Sequence, residues 1–163
     1  MEAVNKSYFR GKMSMKTFKV SVERVIDASP QQVYNVIADM EEHRRILPKQ
    51  FESLEVLQGG KGAGTVSRTV MNVMGNRTTL ELTIEEPDPG RIIREVDKQA
   101  GIATTWTLTP IDDERRCQIR LVTEFPVKPG FAGFMERLLV PPITGSIYRQ
   151  ELENINQYVS TRR

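Results

Sequence analysis

Between Thr17 and Ile26 apolar side chains recur on alternate residues, at Phe18, Val20, Val22 and Ile26, with Arg24 in the same register. A period of two puts them on one face of an extended chain, so this segment is predicted to be a half-buried strand. Ser29-Pro30-Gln31-Gln32 follows, with an N-cap serine, a proline at the first helical position and a glutamine placed to complete a capping box. Val33, Tyr34, Val36 and Ile37 supply the apolar face of the helix that starts there. A break at Asp39-Met40 leads into a second short helix over Glu41 to Ile46, ending before Pro48.

Beyond Pro48 the pattern returns to strands divided by turn residues: Phe51 to Leu57, Thr65 to Met74, Arg77 to Glu86, Arg91 to Asp97, Ile102 to Pro110 and Arg116 to Phe125. The dividers are the glycine-rich loop from Gly59 to Gly64, a hairpin at Gly75-Asn76, Pro87-Asp88-Pro89-Gly90, a short loop from Gln99 to Gly101, and Asp112-Asp113-Glu114. Such spacing predicts an antiparallel meander. From Phe131 to Val159 apolar residues recur every three or four positions, the mark of a long amphipathic helix, with a kink or break expected at Pro141-Pro142. The fold class is therefore α+β: a curved seven-stranded antiparallel sheet, two short helices after its first strand, and a long C-terminal helix. Residues 1–16 read as a flexible basic leader and 17–163 as one domain.

The composition is globular, with 39% hydrophobic and 27% charged residues. The net charge of +2 is concentrated at the N-terminus, in Lys6, Arg10, Lys12, Lys16 and Lys19. The rest of the chain is slightly acidic, with Lys and Arg interleaved with Glu and Asp, so no basic stripe calls for a nucleic acid. No apolar run approaches a membrane span, which argues against membrane insertion. The single cysteine, Cys117, excludes an internal disulfide and a multi-cysteine metal site and fits a cytoplasmic protein. No pattern calls for a cofactor, and the charged surface fits a monomer or a weak dimer.

The segment Val25-Ile26-Asp27-Ala28-Ser29-Pro30-Gln31-Gln32-Val33-Tyr34-Asn35-Val36-Ile37-Ala38-Asp39, the Gly62-Ala63-Gly64 loop, the strand end Trp106-Thr107-Leu108-Thr109-Pro110 and the closing helix together resemble the helix-grip superfamily. These START-like or Bet v 1-like (SRPBCC) proteins include a bacterial polyketide cyclase/dehydrase and lipid-transport branch, which this chain is most similar to, over about Thr17 to Val159. The resemblance implies a cavity between sheet and helix that holds a small hydrophobic ligand such as a lipid, a quinone or a polyketide-like aromatic.

Strand parity lists the cavity wall as Met71, Leu80, Leu82, Arg94, Thr104, Trp106, Leu108, Ile119 and Leu121, faced by Phe134, Leu138 and Tyr148 from the helix. Ile92 and Val96 share the parity of Arg94, and Val73, Ile84 and Phe125 fall on inward parities of their own strands. Arg94 either enters the cavity, where it would pair with an internal carboxylate or orient an acidic ligand, or snorkels from the sheet edge. Arg24 raises the same question nearer the surface. Leu47, Pro48, Gly62, Gly64 and Pro141 are candidate gate elements.

His43, the only histidine, stands in the charged run Glu41-Glu42-His43-Arg44-Arg45 and is expected on the surface. Glu81, Glu85 and Glu95 are expected to face solvent, and Cys117 to be a small buried hydrophobe. The Gly59 to Gly64 loop lacks the Gly-Lys-Ser/Thr ending of a phosphate-binding loop and precedes a strand, so it carries no phosphate site. Binding or transport of an apolar ligand is the favoured function. A metal-free cyclase or dehydratase using Arg94 and Tyr148 is the alternative, and an interaction module with a filled core is a third reading.

Overall fold

The computed structural model describes residues 16–162; the expected leader therefore lies outside the described residues, apart from Lys16. The element order is β1 (Thr17–Ile26), α1 (Pro30–Ala38), α2 (Met40–His43), β2 (Phe51–Gln58), β3 (Val66–Val73), β4 (Asn76–Asp88), β5 (Ile92–Asp97), β6 (Ile102–Ile111), β7 (Arg116–Pro126) and α3 (Gly130–Ser160). The strands form one antiparallel sheet in the order β1-β7-β6-β5-β4-β3-β2. The meander thus runs from β2 to β7, and β1 closes against β7 by a long-range pairing. This is the helix-grip fold, with α3 held against the curved sheet.

Local chemistry explains the boundaries. The amide of Gln32 donates to Ser29 Oγ at 3.3 Å and the amide of Ser29 to Gln32 Oε1 at 3.1 Å, so the capping box is complete. Asp39 caps α2 by accepting from the Glu41 amide at 3.0 Å. This second helix is shorter than its apolar pattern implies: it stops at His43, and a turn carries the chain through Ile46. The β3–β4 hairpin turns on Met74 and Gly75, both with positive φ, one residue earlier than expected. Two such residues match the right-handed twist of the flanking strands.

α3 runs for 31 residues without a break at Pro141-Pro142. The prolines withdraw amides from the carbonyls of Arg137 and Leu138, but both of those residues are exposed, so water can satisfy the freed carbonyls. At the start of α3 a Cβ on Gly133 would meet the Lys128 carbonyl at 1.9 Å, so only glycine lets the segment between β7 and α3 pass this closely.

The core follows the second half of α3. Ile147, Leu152, Ile155 and Val159 are buried against Val20, Val22 and Ile26 of β1 and Val33, Val36 and Ile37 of α1. Gly145 lies over Val20, with 4.0 Å from its Cβ position to a valine methyl. Polar clasps reinforce the docking: Asn154 donates to the Ile46 carbonyl at 2.9 Å, Tyr158 donates to Glu42 at 2.6 Å, and Asn156 accepts from the Asp27 amide at 3.0 Å. The first half of α3 is different, with Phe131, Phe134, Leu138 and Leu139 at least half exposed.

Candidate functional site

Where α2, α3 and the inner faces of β2 to β6 meet, they leave a largely enclosed cavity of about 120 Å³. Its apolar walls include Leu47, Phe51, Leu54, Met71, Leu80 and Leu82. His43, Glu95, Trp106, Thr104, Tyr148 and Glu151 also line it. Sites for drug-sized ligands run to roughly 300–1,000 Å³, whereas an engineered cavity of about 150 Å³ holds benzene. The space of about 120 Å³ is on the scale of one aromatic ring.

Of the residues picked out by strand parity, Met71, Leu80, Leu82, Thr104, Trp106 and Tyr148 come together here. Leu108, Ile119 and Leu121 do point inward but are fully packed in the core instead of bordering the cavity. Phe134 and Leu138 are 53% and 58% exposed on the first half of α3 and do not line the space. Of the gate candidates only Leu47 touches the space. Pro48 is buried outside it, and Pro141 lies on the exposed half of α3.

The glycine loop is clasped shut rather than free. Lys61 pairs with Asp39 at 2.7 Å, the Gly62 amide donates to the Ala38 carbonyl at 2.9 Å, and the Ala63 amide donates to Glu86 at 2.8 Å. Glu86 also accepts a short hydrogen bond from Tyr34, whose phenol is pushed up to about 12 by burial and by that carboxylate. Burial opposes ionisation of Asp39, but its bonds to Lys61 and to the Glu41 amide prevail and hold its pKa below the usual carboxylate range. A second concavity of about 710 Å³ lies between this loop, α1 and the end of α3, but it is open to solvent. Its charges already pair with one another, as Lys61 with Asp39 and Arg162 with Glu42.

The parity expected of β5 is reversed. Ile93, Glu95 and Asp97 are buried on the inner face, and Ile92, Arg94 and Val96 lie on the outer one. The run Ile92-Ile93-Arg94-Glu95-Val96 has apolar residues on both parities, so hydrophobicity alone cannot orient it. Cross-strand pairing decides: Glu95 sits beside Thr104, and Ile93 beside Trp106. The inward acids are satisfied by donors only the fold supplies. Glu95 accepts from the Trp106 indole N–H at 3.2 Å, and Asp97 accepts from the amides of Glu81 and Ala100 at 3.0 and 2.8 Å. Arg94 instead pairs with Glu85 at 3.2 Å on the partly exposed outer face. Glu81 and Glu85 lie there as expected, while Glu95 does not. Arg24 reaches from the end of β1 to a salt bridge with Glu153 on α3.

His43 is the largest departure from expectation: it is 3% exposed, edge-on to Trp106 with ring centroids 5.7 Å apart. Its Nδ1 lies 2.9 Å from the Ile37 carbonyl, which can only accept, so Nδ1 carries a hydrogen. Its Nε2 lies 3.4 Å from Glu151, and its Nδ1 lies 3.9 Å from Glu95. Burial acts to discharge the imidazole, but the hydrogen bond to Glu151 and the charges of Glu95 and Glu151 outweigh it and raise its pKa to about 9. Burial also raises Glu151, with His43 opposing. Among the described residues no group of histidine, cysteine and carboxylate side chains is placed to hold a metal ion.

Sequence reasoning did not single out Glu151. The signal was there: it lies on the face of α3 marked by Tyr148, Leu152 and Ile155, where a carboxylate breaks an apolar stripe. Tyr148 completes the polar end through a hydroxyl chain, 2.7 Å to Thr123, which lies 2.8 Å from Thr104. Burial pushes the Tyr148 phenol up to about 12, so it stays a neutral donor. Thr69, buried in the opposite wall, has a hydroxyl with no hydrogen-bond partner. Cys117 is fully buried, and burial pushes its thiol up to about 11.

The sequence profile of the family described as polyketide cyclase / dehydrase and lipid transport matches residues 17–160. The chain belongs to this family. A comparison with curated proteins finds no match. Among solved structures, the KanY protein is 25% identical, with a TM-score of 0.77, 90% of this chain covered and 99% of that one. The Zhui aromatase/cyclase from Streptomyces sp. R1128 is 22% identical at a TM-score of 0.73, covering 90% of this chain and 96% of the other. A START superfamily protein from Mycobacterium smegmatis is 14% identical at 0.71, covering 89% and 99%. The neighbours thus include an aromatase/cyclase beside a START protein, and they share the fold. Among the described residues no helix is long and apolar enough to cross a membrane.

Proposed function

We propose that this protein binds a compact, mainly apolar ligand in the cavity between the sheet and α3, with the polar end of that ligand against His43, Glu95 and Glu151. One observation carries this reading: apolar walls converge on a buried charged cluster that a filled core would have no reason to keep. The unpartnered Thr69 hydroxyl supports it, since a buried hydroxyl without a partner costs free energy that a ligand atom can recover. Larger family-type ligands would require the walls to open, with Leu47 and the side chains of Phe51 and Leu54 moving first.

Trp106 is the only tryptophan and forms part of the wall, so its fluorescence reports occupancy directly. Titration with single-ring aromatics should shift or quench that emission saturably, and native mass spectrometry should show one ligand per chain. Unchanged emission together with an empty protein would sink the reading.

The His43–Glu151 pair favours a second reading, acid–base catalysis on a bound ligand in the same cavity. A buried imidazole and carboxylate that share a proton can take one from, or return one to, a ligand held beside them. The two readings separate on His43→Gln: a catalyst loses turnover and keeps its ligand affinity, whereas a carrier has no turnover to lose.

A further inference from the structure

The charges around the cavity do not balance. Among the described residues His43 is the one basic side chain lining it, and it faces two carboxylates, Glu151 from α3 and Glu95 from β5. Because the Ile37 carbonyl fixes a hydrogen on Nδ1, His43 and Glu151 share one further proton between Nε2 and Oε1. Whichever of them holds it, that pair is neutral as a unit. Glu95 is then left with a single neutral donor, the Trp106 indole N–H, and an imidazole nitrogen 3.9 Å away whose hydrogen is already given to Ile37. The remaining ionisable lining group, Tyr148, is a hydroxyl turned toward Thr123. Arg94, the cation expected to balance this end, lies on the other face of the sheet.

We infer that the cavity selects a ligand bearing a protonated amine, whose ammonium group supplies the second cation that Glu95 and Glu151 call for beside His43, and that it rejects carboxylate ligands. A carboxylate would enter an enclosed, poorly hydrated space against two acids with no free cation to meet it, where like-charge repulsion is weakly screened. An ammonium group meets the reverse situation, donating charge-assisted hydrogen bonds to Glu95. The unpartnered Thr69 hydroxyl, two strands away in the same cavity wall, offers a second polar anchor for a hydroxyl or carbonyl elsewhere on the ligand. This inference rests on the proposed ligand-binding role and names its ligand class.

Benzylamine, benzyl alcohol and benzoate are matched in ring size and differ in charge, so they separate this inference from the binding reading. Trp106 fluorescence titrations at pH 7 should show benzylamine binding roughly tenfold tighter than benzyl alcohol, and benzoate not binding. Glu95→Gln keeps an acceptor for the Trp106 indole and should bring benzylamine down to the level of benzyl alcohol. Arg94→Ala, on the outer face of the same strand, should leave the benzylamine preference intact and show that the effect belongs to Glu95. Benzyl alcohol binding as well as or better than benzylamine, or benzoate binding at all, would overturn the amine selectivity and leave the cavity reading standing. Failure of all three probes would overturn both. If Glu95→Gln does not fold, a persistent benzylamine preference in wild type at 0.5 M salt keeps the test decisive, since a buried pair is little screened; its loss there would place the cation at the surface and overturn the inference.

Discussion

His43 Nε2 and the carboxylate of Glu151 face each other at 3.4 Å inside the protein, brought together from a four-residue helix near the start of the fold and the middle of its last helix. The contact joins the wall of the cavity to the element that closes it. Several properties of the protein depend on this relationship.

Stability should fall with rising pH above neutrality. His43 titrates near 9 in the folded chain and near its ordinary value of 6.5 when unfolded. The folded pKa is the higher one, so the protonated pair contributes fully below pH 6.5 and its contribution disappears as pH climbs toward 9. Unfolding free energies from urea titrations at pH 6.0 and 8.5 should differ by an amount on the order of 1–3 kcal/mol, and His43→Gln should flatten the difference. Measurements belong below pH 9, because above it the Cys117 thiol, raised from 9.0 to about 11, adds a loss of its own.

Removing one partner of the pair should hurt more than replacing both. Glu151→Ala leaves a buried imidazole without its main acceptor, a loss of roughly 3 kcal/mol by analogy with other broken buried pairs. Replacing His43 and Glu151 together with leucine should recover much of it. A loss in the double variant equal to the sum of the losses from changing each residue alone would show that the two groups act independently.

Arg94→Ala should change neither ligand affinity nor ligand preference. Its guanidinium pairs with Glu85 on the outer face at 38% exposure, where such pairs contribute about 0.5 kcal/mol or less. A large affinity loss in the Trp106 titration would place Arg94 at the ligand after all.

Thr69→Val should stabilise the unliganded protein by about 1 kcal/mol, since it removes a buried hydroxyl without a partner and keeps the shape. Leu82→Phe should fill much of the 120 Å³ and abolish aromatic-probe binding while the protein stays folded. Thermal melts and Trp106 titrations check both variants.

Glu86→Gln should loosen the glycine loop. Glu86 accepts from both Tyr34 and the Ala63 amide, and the neutral amide side chain replaces charge-assisted bonds with weaker ones. Hydrogen exchange at residues 60–64 should quicken while exchange in β6 and β7 stays unchanged.

The element order was legible because it depends on local chemistry. Ser29 and Gln32 make their capping box from neighbouring residues, turn residues fall at the strand ends, and β1 runs over the residues its alternation marks. The family resemblance rested on those same segments. The length of α2 and the unbroken course of α3 through Pro141-Pro142 were less legible, since each depends on what surrounds the helix end or the freed carbonyls.

The sequence by itself determined an antiparallel meander, a capped helix pair and a closing helix with Tyr148 on its apolar face, because hydrophobic period and capping act over a few residues. Only the tertiary structure decided the polar end of the cavity. The charged neighbours of His43 mark it for the surface, and β5 carries apolar residues on both parities. The burial of His43 and Glu95 depends on partners supplied by other elements, Ile37 on α1, Trp106 on β6 and Glu151 on α3. A buried ionisable group persists only where such partners exist, and no local pattern states whether they will.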